Sequence, residues 1–326
     1  MLFVLLSGLI IAAWQVNVPY YALSPGPVED VGDLIDVEGS EVFLLNGDLY
    51  MLTVSLQEVN AFEYVQGWLD PSVDLVGREA IRPSNISPEE HREANRQSMD
   101  DSKDTAISVA LRYLGYEVTD TGEGVLVASV IEGTPADGVL LPGDVIVEVN
   151  NIAVFIRDDG VNAITANAIG DTIGLRVDRN GELLDLEVTL IEHTQSPGRP
   201  MVGFTPDTYN RTLVLPFEVK IDAQNIGGPS AGMMYTLTII DLLTEADLAQ
   251  GNVIAGTGTI SSDGTVGGIG GVRQKIVAAQ AAGARFILVP ESNYADAITM
   301  KADGVEIFAV STIDEAVAIL EGLPAA

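Results

Sequence analysis

Residues 225–234 read NIGGPSAGMM, and residues 267–283 read GGIGGVRQKIVAAQAAG, with the lysine of the second stretch 45 residues beyond the serine of the first. In the first stretch, Gly227 and Gly228 let the backbone approach another chain closely, and Pro229 presets φ for a helix start. That places Ser230 in a helix's first turn, where free N–H groups and the positive end of the dipole suit a developing oxyanion. An ordinary capped helix fits the same residues. In the second stretch Val272, Lys275, Ile276 and Ala279 share one helical face, so Lys275 falls on an apolar stripe. Such a lysine either snorkels to water or is desolvated, and desolvation lowers its pKa toward that of a usable general base. The glycines do not form a nucleotide loop, because no G-x-x-x-x-G-K-[ST] occurs in the chain.

Composition narrows the chemistry. The 326 residues carry a formal net charge of −31, a surface that repels nucleic acid, so no nucleic-acid partner is expected. There is no cysteine, which excludes thiol catalysis, disulfides and Cys-ligated zinc. The two histidines sit in SPEEHREANRQ (His91) and IEHTQSPG (His193), neither a Gly-rich nor an apolar catalytic setting, which argues against a Ser-His-Asp hydrolase. No cofactor or metal is implied.

Working outward, residues 200–326 alternate strand and helix patterns, as in a mixed α/β domain. Strands are expected over 213–221, 253–260 and the run RFILVP, and helices over 230–243, 272–282 and 313–320. Before it, residues 122–194 read as short strands around a helix near 158–168, with residues 195–200 as linker. Residues 24–121 are expected to hold an extended lead-out, a hairpin turning at Asn46-Gly47, a polar surface loop over 79–100 and a helix over 100–114. Residues 1–23 include the uncharged stretch LFVLLSGLIIAAW (2–14) and read as an uncleaved membrane anchor or a signal sequence, of which the anchor is preferred. The expected class is α+β.

GGPSAG and GGVRQK, in that order and with GTGTI between them, closely resemble the Lon-type proteolytic domain, whose fold is of the ribosomal protein S5 domain 2-like kind. The resemblance implies Ser230 as nucleophile, Lys275 as general base, Thr257 as support for the lysine, and Gly228 and Ala231 as neighbours shaping the site. The sequence departs from many ATP-dependent members at Gly227 and Thr259, where they carry acidic residues, so no acidic third member is implied. TGEGVLVASV and TPADGVLLPGDVIVEVNN resemble a PDZ domain, which implies peptide binding at Gly122, Gly124, Val125 and Leu126.

An anchor, a PDZ-like module and a Lon-type domain together resemble the bacterial YlbL-like proteases. That resemblance implies an ATP-independent serine endopeptidase in the cell membrane, single-pass, with both domains extracytoplasmic. It would cleave unfolded or tail-exposed proteins and possess the capacity to form a homo-oligomer. An inactive PDZ adaptor of the cell envelope is the rival reading. The lead-out residues that precede the PDZ-like module are expected to supply the first part of the protease domain.

Overall fold

A computed structural model describes residues 14–83, 86–193, 198–223, 226–245 and 247–326. The chain divides into two compact units: residues 1–117 together with 216–326, and residues 118–215.

The first unit opens with β1 (Asn17–Asp30), β2 (Ile35–Glu38), β3 (Asp48–Asn60), α1 (Ala61–Leu69), β4 (Asp74–Gly77), α2 (Arg78–Ile81) and α3 (Pro88–Tyr113). The second unit supplies β5 (Thr119–Thr121), β6 (Gly124–Val130), β7 (Val145–Val149), β8 (Ile152–Ala153), α4 (Arg157–Thr165), β9 (Thr172–Arg179), β10 (Glu182–Thr189), β11 (Ile191–Glu192), β12 (Pro200–Met201), β13 (Phe204–Tyr209) and β14 (Thr212–Val214). The chain then returns to the first unit with β15 (Glu218–Ile221), α5 (Gly232–Leu242), β16 (Val253–Gly256), β17 (Thr259–Ile260), β18 (Val266–Gly267), α6 (Val272–Ala281), β19 (Phe286–Pro290), α7 (Glu291–Ala297), β20 (Glu306–Val310) and α8 (Ile313–Glu321).

The first unit is built on a sheet ordered β20-β19-β16-β3-β1-β4, in which β3, β16, β19 and β20 run parallel and β1 antiparallel. Parallel strands are covered on their faces, and FILVP in β19 is buried along its whole length. Helix α6 packs on β1 and β3, joining Val272, Ile276 and Ala279 to Leu52 and Ile287 in one core. Every residue of α5 is buried, as befits a helix that is apolar all round, and it lies against α3.

The second unit has a sheet ordered β10-β9-β7-β6-β13. Its β9–β10 hairpin turns at Asn180-Gly181, both with positive φ (55° and 86°), the geometry whose twist matches the flanking strands. Helix α4 covers part of the core formed by Val125, Val127, Ile146, Ile164 and Val177.

Several expectations are corrected. The transmembrane anchor over 1–23 is not part of this fold: residues 1–13 lie outside the described residues, and Asn17 onward belongs to β1. Among the described residues no helix is long and apolar enough to cross a membrane. The apolar Tyr20–Leu23 stretch is explained by sheet pairing, since these residues sit between β3 and β4.

No hairpin turns at Asn46-Gly47. The backbone groups there are taken by the loop before β16 instead, Gly251 N–H donating to Asn46 O (2.7 Å) and Asp48 N–H to Asn252 O (3.0 Å). The polar stretch expected as a loop over 79–100 is mostly helix. Ser87 and Glu90 form a reciprocal capping box with Pro88 at the first helical position, so α3 starts at Pro88. The strand expected over 213–221 is two short strands with different partners, β14 on β5 and β15 on β2. The PDZ-like sheet extends past residue 194 to include β13, which closes against β6.

Candidate active site

Ser230 sits two residues ahead of α5 rather than in its first turn, with Ala231 as the N-cap residue. Its loop is held from two sides. On one side the Ser230 carbonyl accepts from Gly258 N–H (2.9 Å) and Thr257 Oγ1 (3.1 Å), which pins the serine backbone to the segment between β16 and β17. On the other, α3 meets the loop: Gly228 N–H donates to Asn95 O (2.9 Å), and Ser102 Oγ donates to Pro229 O (3.1 Å). Gly228 has φ +87°, which a β-carbon disfavours. Gly232 admits none, because a Cβ there would lie 2.5 Å from Ile260 Cγ2 and 2.7 Å from Ser102 Oγ.

Lys275 reaches Ser230 from α6. The helix starts at Gly271, whose left-handed φ of +67° turns the chain beneath β1 and β3, and Lys275 occupies its second turn. The lysine is only 2% exposed. Its Nζ lies 2.7 Å from Ser230 Oγ and donates to Thr257 Oγ1 at 2.8 Å. Among the described residues no carboxylate pairs with it. Burial without a counter-charge penalises the ammonium, and the Lys275 pKa falls from 10.5 to about 7.

Thr257, itself fully buried, sets the direction of these bonds. Its hydroxyl hydrogen is committed to the Ser230 carbonyl, so its oxygen accepts from Nζ. In the neutral amine this leaves the nitrogen lone pair for the Ser230 hydroxyl. The N–H groups of Ser230 and Ala231 have no hydrogen-bond partner among the described residues and lie at the N-terminal end of α5, where the helix dipole favours negative charge.

The dyad opens into a cleft of about 560 Å³ whose walls include Leu52, Val54, Ile81, Met99 and Ile226. His91, read from sequence as remote from chemistry, lines the same cleft and contacts Asn95 Nδ2 at 3.2 Å. Ser102 and Asn95 escaped sequence reading as well. The one local signal was the helical phase of Met99, Ser102 and Ala106, which puts a serine on the buried face of α3.

The expected peptide-binding residues are placed differently. Strand β6, which holds Gly124, Val125 and Leu126, is paired on both edges, with β7 and with β13. Val125 is in the core, and a Cβ on Gly122 or Gly124 would collide with neighbouring strands or loops, at 2.5 Å from Phe155 O and 2.6 Å from Val145 Cγ1 respectively. The three of them in β6 therefore offer no open edge to a peptide. The edge strands of this sheet are β10 and β13. Strand β13 borders a cavity of about 210 Å³, lined from α4 by Arg157, Val161 and Ile164 and from β12 and its flanks by Arg199, Met201 and Val202.

Comparison with known proteins agrees with both units. Residues 112–190 match the family model of the PDZ domain, and residues 202–321 match that of the Lon protease (S16) C-terminal proteolytic domain. Lon protease 2 of Bacillus subtilis (strain 168) is 37% identical over 114 residues, covering 35% of this chain and 19% of that protein. The archaeal Lon protease of Methanocaldococcus jannaschii is 35% identical over 114 residues, covering 35% of this chain and 17% of that one. The chain thus spans less than a fifth of the length of these relatives. Among solved structures, the PDZ domain of the SdrC-like protein from Listeria monocytogenes is 27% identical, with a TM-score of 0.24, covering 26% of this chain and 87% of that one. The chain therefore joins a PDZ domain to a proteolytic domain of the Lon type.

Proposed function

We propose that this chain is an ATP-independent serine endopeptidase working through a Ser230–Lys275 dyad. The observation that supports it most is the 2.7 Å approach of a buried, uncharged-poised lysine to the serine hydroxyl. Neutral Nζ takes the Ser230 proton as Oγ bonds to the scissile carbonyl carbon, and the carbonyl electron pair moves onto oxygen. The Ser230 and Ala231 N–H groups hold that oxyanion. As the intermediate collapses, the C–N bond breaks and the leaving amine takes its proton from the Lys275 ammonium. Water then attacks the ester, gives a proton to Nζ and releases the carboxylic acid, restoring the serine.

Substrates are proposed to be unfolded or tail-exposed proteins that need no nucleotide-driven unfolding. The PDZ unit is proposed to hold such a substrate by its tail, in the groove between α4 and the edge of β13, by strand addition. Digestion of casein by purified protein without nucleotide, absent in Ser230→Ala, tests this reading. Equal digestion by Ser230→Ala, or none by the folded wild type, would overturn it.

A further inference from the structure

The groove beside β13 has a charge pattern opposite to that of the molecule. The chain carries 47 Asp and Glu against 16 Lys and Arg, yet among the described residues no Asp or Glu lines this cavity, while Arg157 and Arg199 both do. Its lining also includes the apolar Val161, Ile164, Met201 and Val202, together with Thr165 and His193. The two arginines enter at different levels. Arg157 begins α4, and its N–H donates to Thr208 Oγ1 (2.9 Å), which fixes it beside the later residues of β13. Arg199 directly precedes β12, which comes just before Phe204 at the start of β13. Phe204 and Thr208 are about 13 Å apart along an extended strand.

An extended segment laid antiparallel on β13, its terminus at the Arg199 loop, turns every second side chain toward α4. The residue four before the end then passes the level of Arg157, and the residue two before the end lies about halfway between the two arginines, within reach of a long acidic side chain. Backbone pairing alone is weakened here, because Pro206 gives the open edge one donor fewer. The ion pair of Arg157 with Asp158 is long, 3.8 Å, and both side chains are more than half exposed, so it leaves the guanidinium available for exchange.

Building on the groove reading above, we propose that this site selects peptides that end in a free carboxylate and carry Asp or Glu two to four residues upstream. The terminal carboxylate pairs with Arg199 and the upstream acid with Arg157, guanidinium to carboxylate. Substrate tails that are acidic near their ends are thereby preferred by a protein whose surface otherwise repels them.

The test is fluorescence anisotropy with the full chain carrying Ser230→Ala, so that bound peptide is not cut. The probes are N-terminally labelled octapeptides with Glu, Gln or Lys at the second and fourth positions before the end, each with a free or amidated C-terminus. The Glu peptide should bind about tenfold more tightly than the Gln peptide, and the Lys peptide least. Adding Arg157→Gln should bring the Glu peptide to the affinity of the Gln peptide and leave the latter unchanged. Adding Arg199→Gln should weaken free-carboxylate peptides and spare amidated ones. Equal binding of Glu and Gln peptides overturns the acid selection alone. Binding that persists unchanged when Val161→Trp fills the groove, or no binding of any peptide by folded protein, overturns the groove reading as well.

Discussion

Replacing Thr257 by valine keeps the side chain's shape and removes its oxygen, which separates packing from chemistry at the dyad. The hydroxyl accepts from Lys275 Nζ and donates to the Ser230 carbonyl, and the residue is fully buried. The carbonyl keeps its Gly258 N–H bond. Losing two buried hydrogen bonds costs about 2 kcal/mol of stability, and stranding an Nζ hydrogen adds about 1 kcal/mol. An ammonium gains more from the lost acceptor than a neutral amine does. A bond to a charged donor is worth about 2.5 kcal/mol against about 1 kcal/mol for a neutral one, and that difference lowers the lysine pKa by about one pH unit. The acid limb of the rate profile should therefore move from near 7 toward 6, while kcat falls about 10- to 100-fold because the base is no longer held against Oγ. Thr257→Ser should restore both. Peptide cleavage from pH 5 to 9, with urea denaturation of each variant, provides the readout. Wild-type kcat and an unmoved limb in Thr257→Val would refute this role for the threonine.

Three further outcomes follow from the same geometry. Asp241 is 3% exposed on α5, with Oδ2 unpartnered, and burial raises its pKa from 3.8 to about 6. The folded state binds the extra proton between those values, so the wild type should lose about 2 kcal/mol relative to Asp241→Asn as pH rises from 4 to 7, measured by urea melts. Ser102→Ala removes the bond to Pro229 O, and should cost about 1 kcal/mol by thermal melt and slow peptide cleavage several-fold. Gly232→Ala drives a methyl into Ile260 and Ser102, and should cost about 2 kcal/mol and slow cleavage more than Ser102→Ala does.

The parts legible in the sequence were those set by local rules. The helical phase of Val272, Lys275, Ile276 and Ala279 placed the lysine inward, and α6 carries it there as a buried residue. The Gly-Pro-Ser turn and the alternation of strand and helix after residue 250 depend on neighbours in sequence too. What stayed hidden depends on distant partners. Ser102 meets Pro229 across 127 residues, and β13 closes on β6 some 80 residues away, so neither partner could be read from neighbours in sequence. That second pairing covers one edge of Gly124–Val130 and leaves Phe204–Tyr209 at the end of the sheet. The apolar Tyr20–Leu23 stretch looks alike whether its partner is lipid or two neighbouring strands, and strands claim it. The start of α3 was a different kind of miss: Ser87, Pro88 and Glu90 spell a local capping box, but the polar residues after it hid the helix.

The central claim is that neutral Lys275 is the base for Ser230, and the pH dependence of peptide cleavage across Lys275 variants tests it most directly. With its pKa near 7, Lys275 should make the wild-type kcat/KM rise about tenfold per pH unit below 7 and level off above it. Lys275→Arg should be as inactive as Ser230→Ala at every pH, because a guanidinium keeps its proton. Substantial cleavage by Lys275→Arg, or a wild-type rate that does not change between pH 5 and pH 9, would contradict the account.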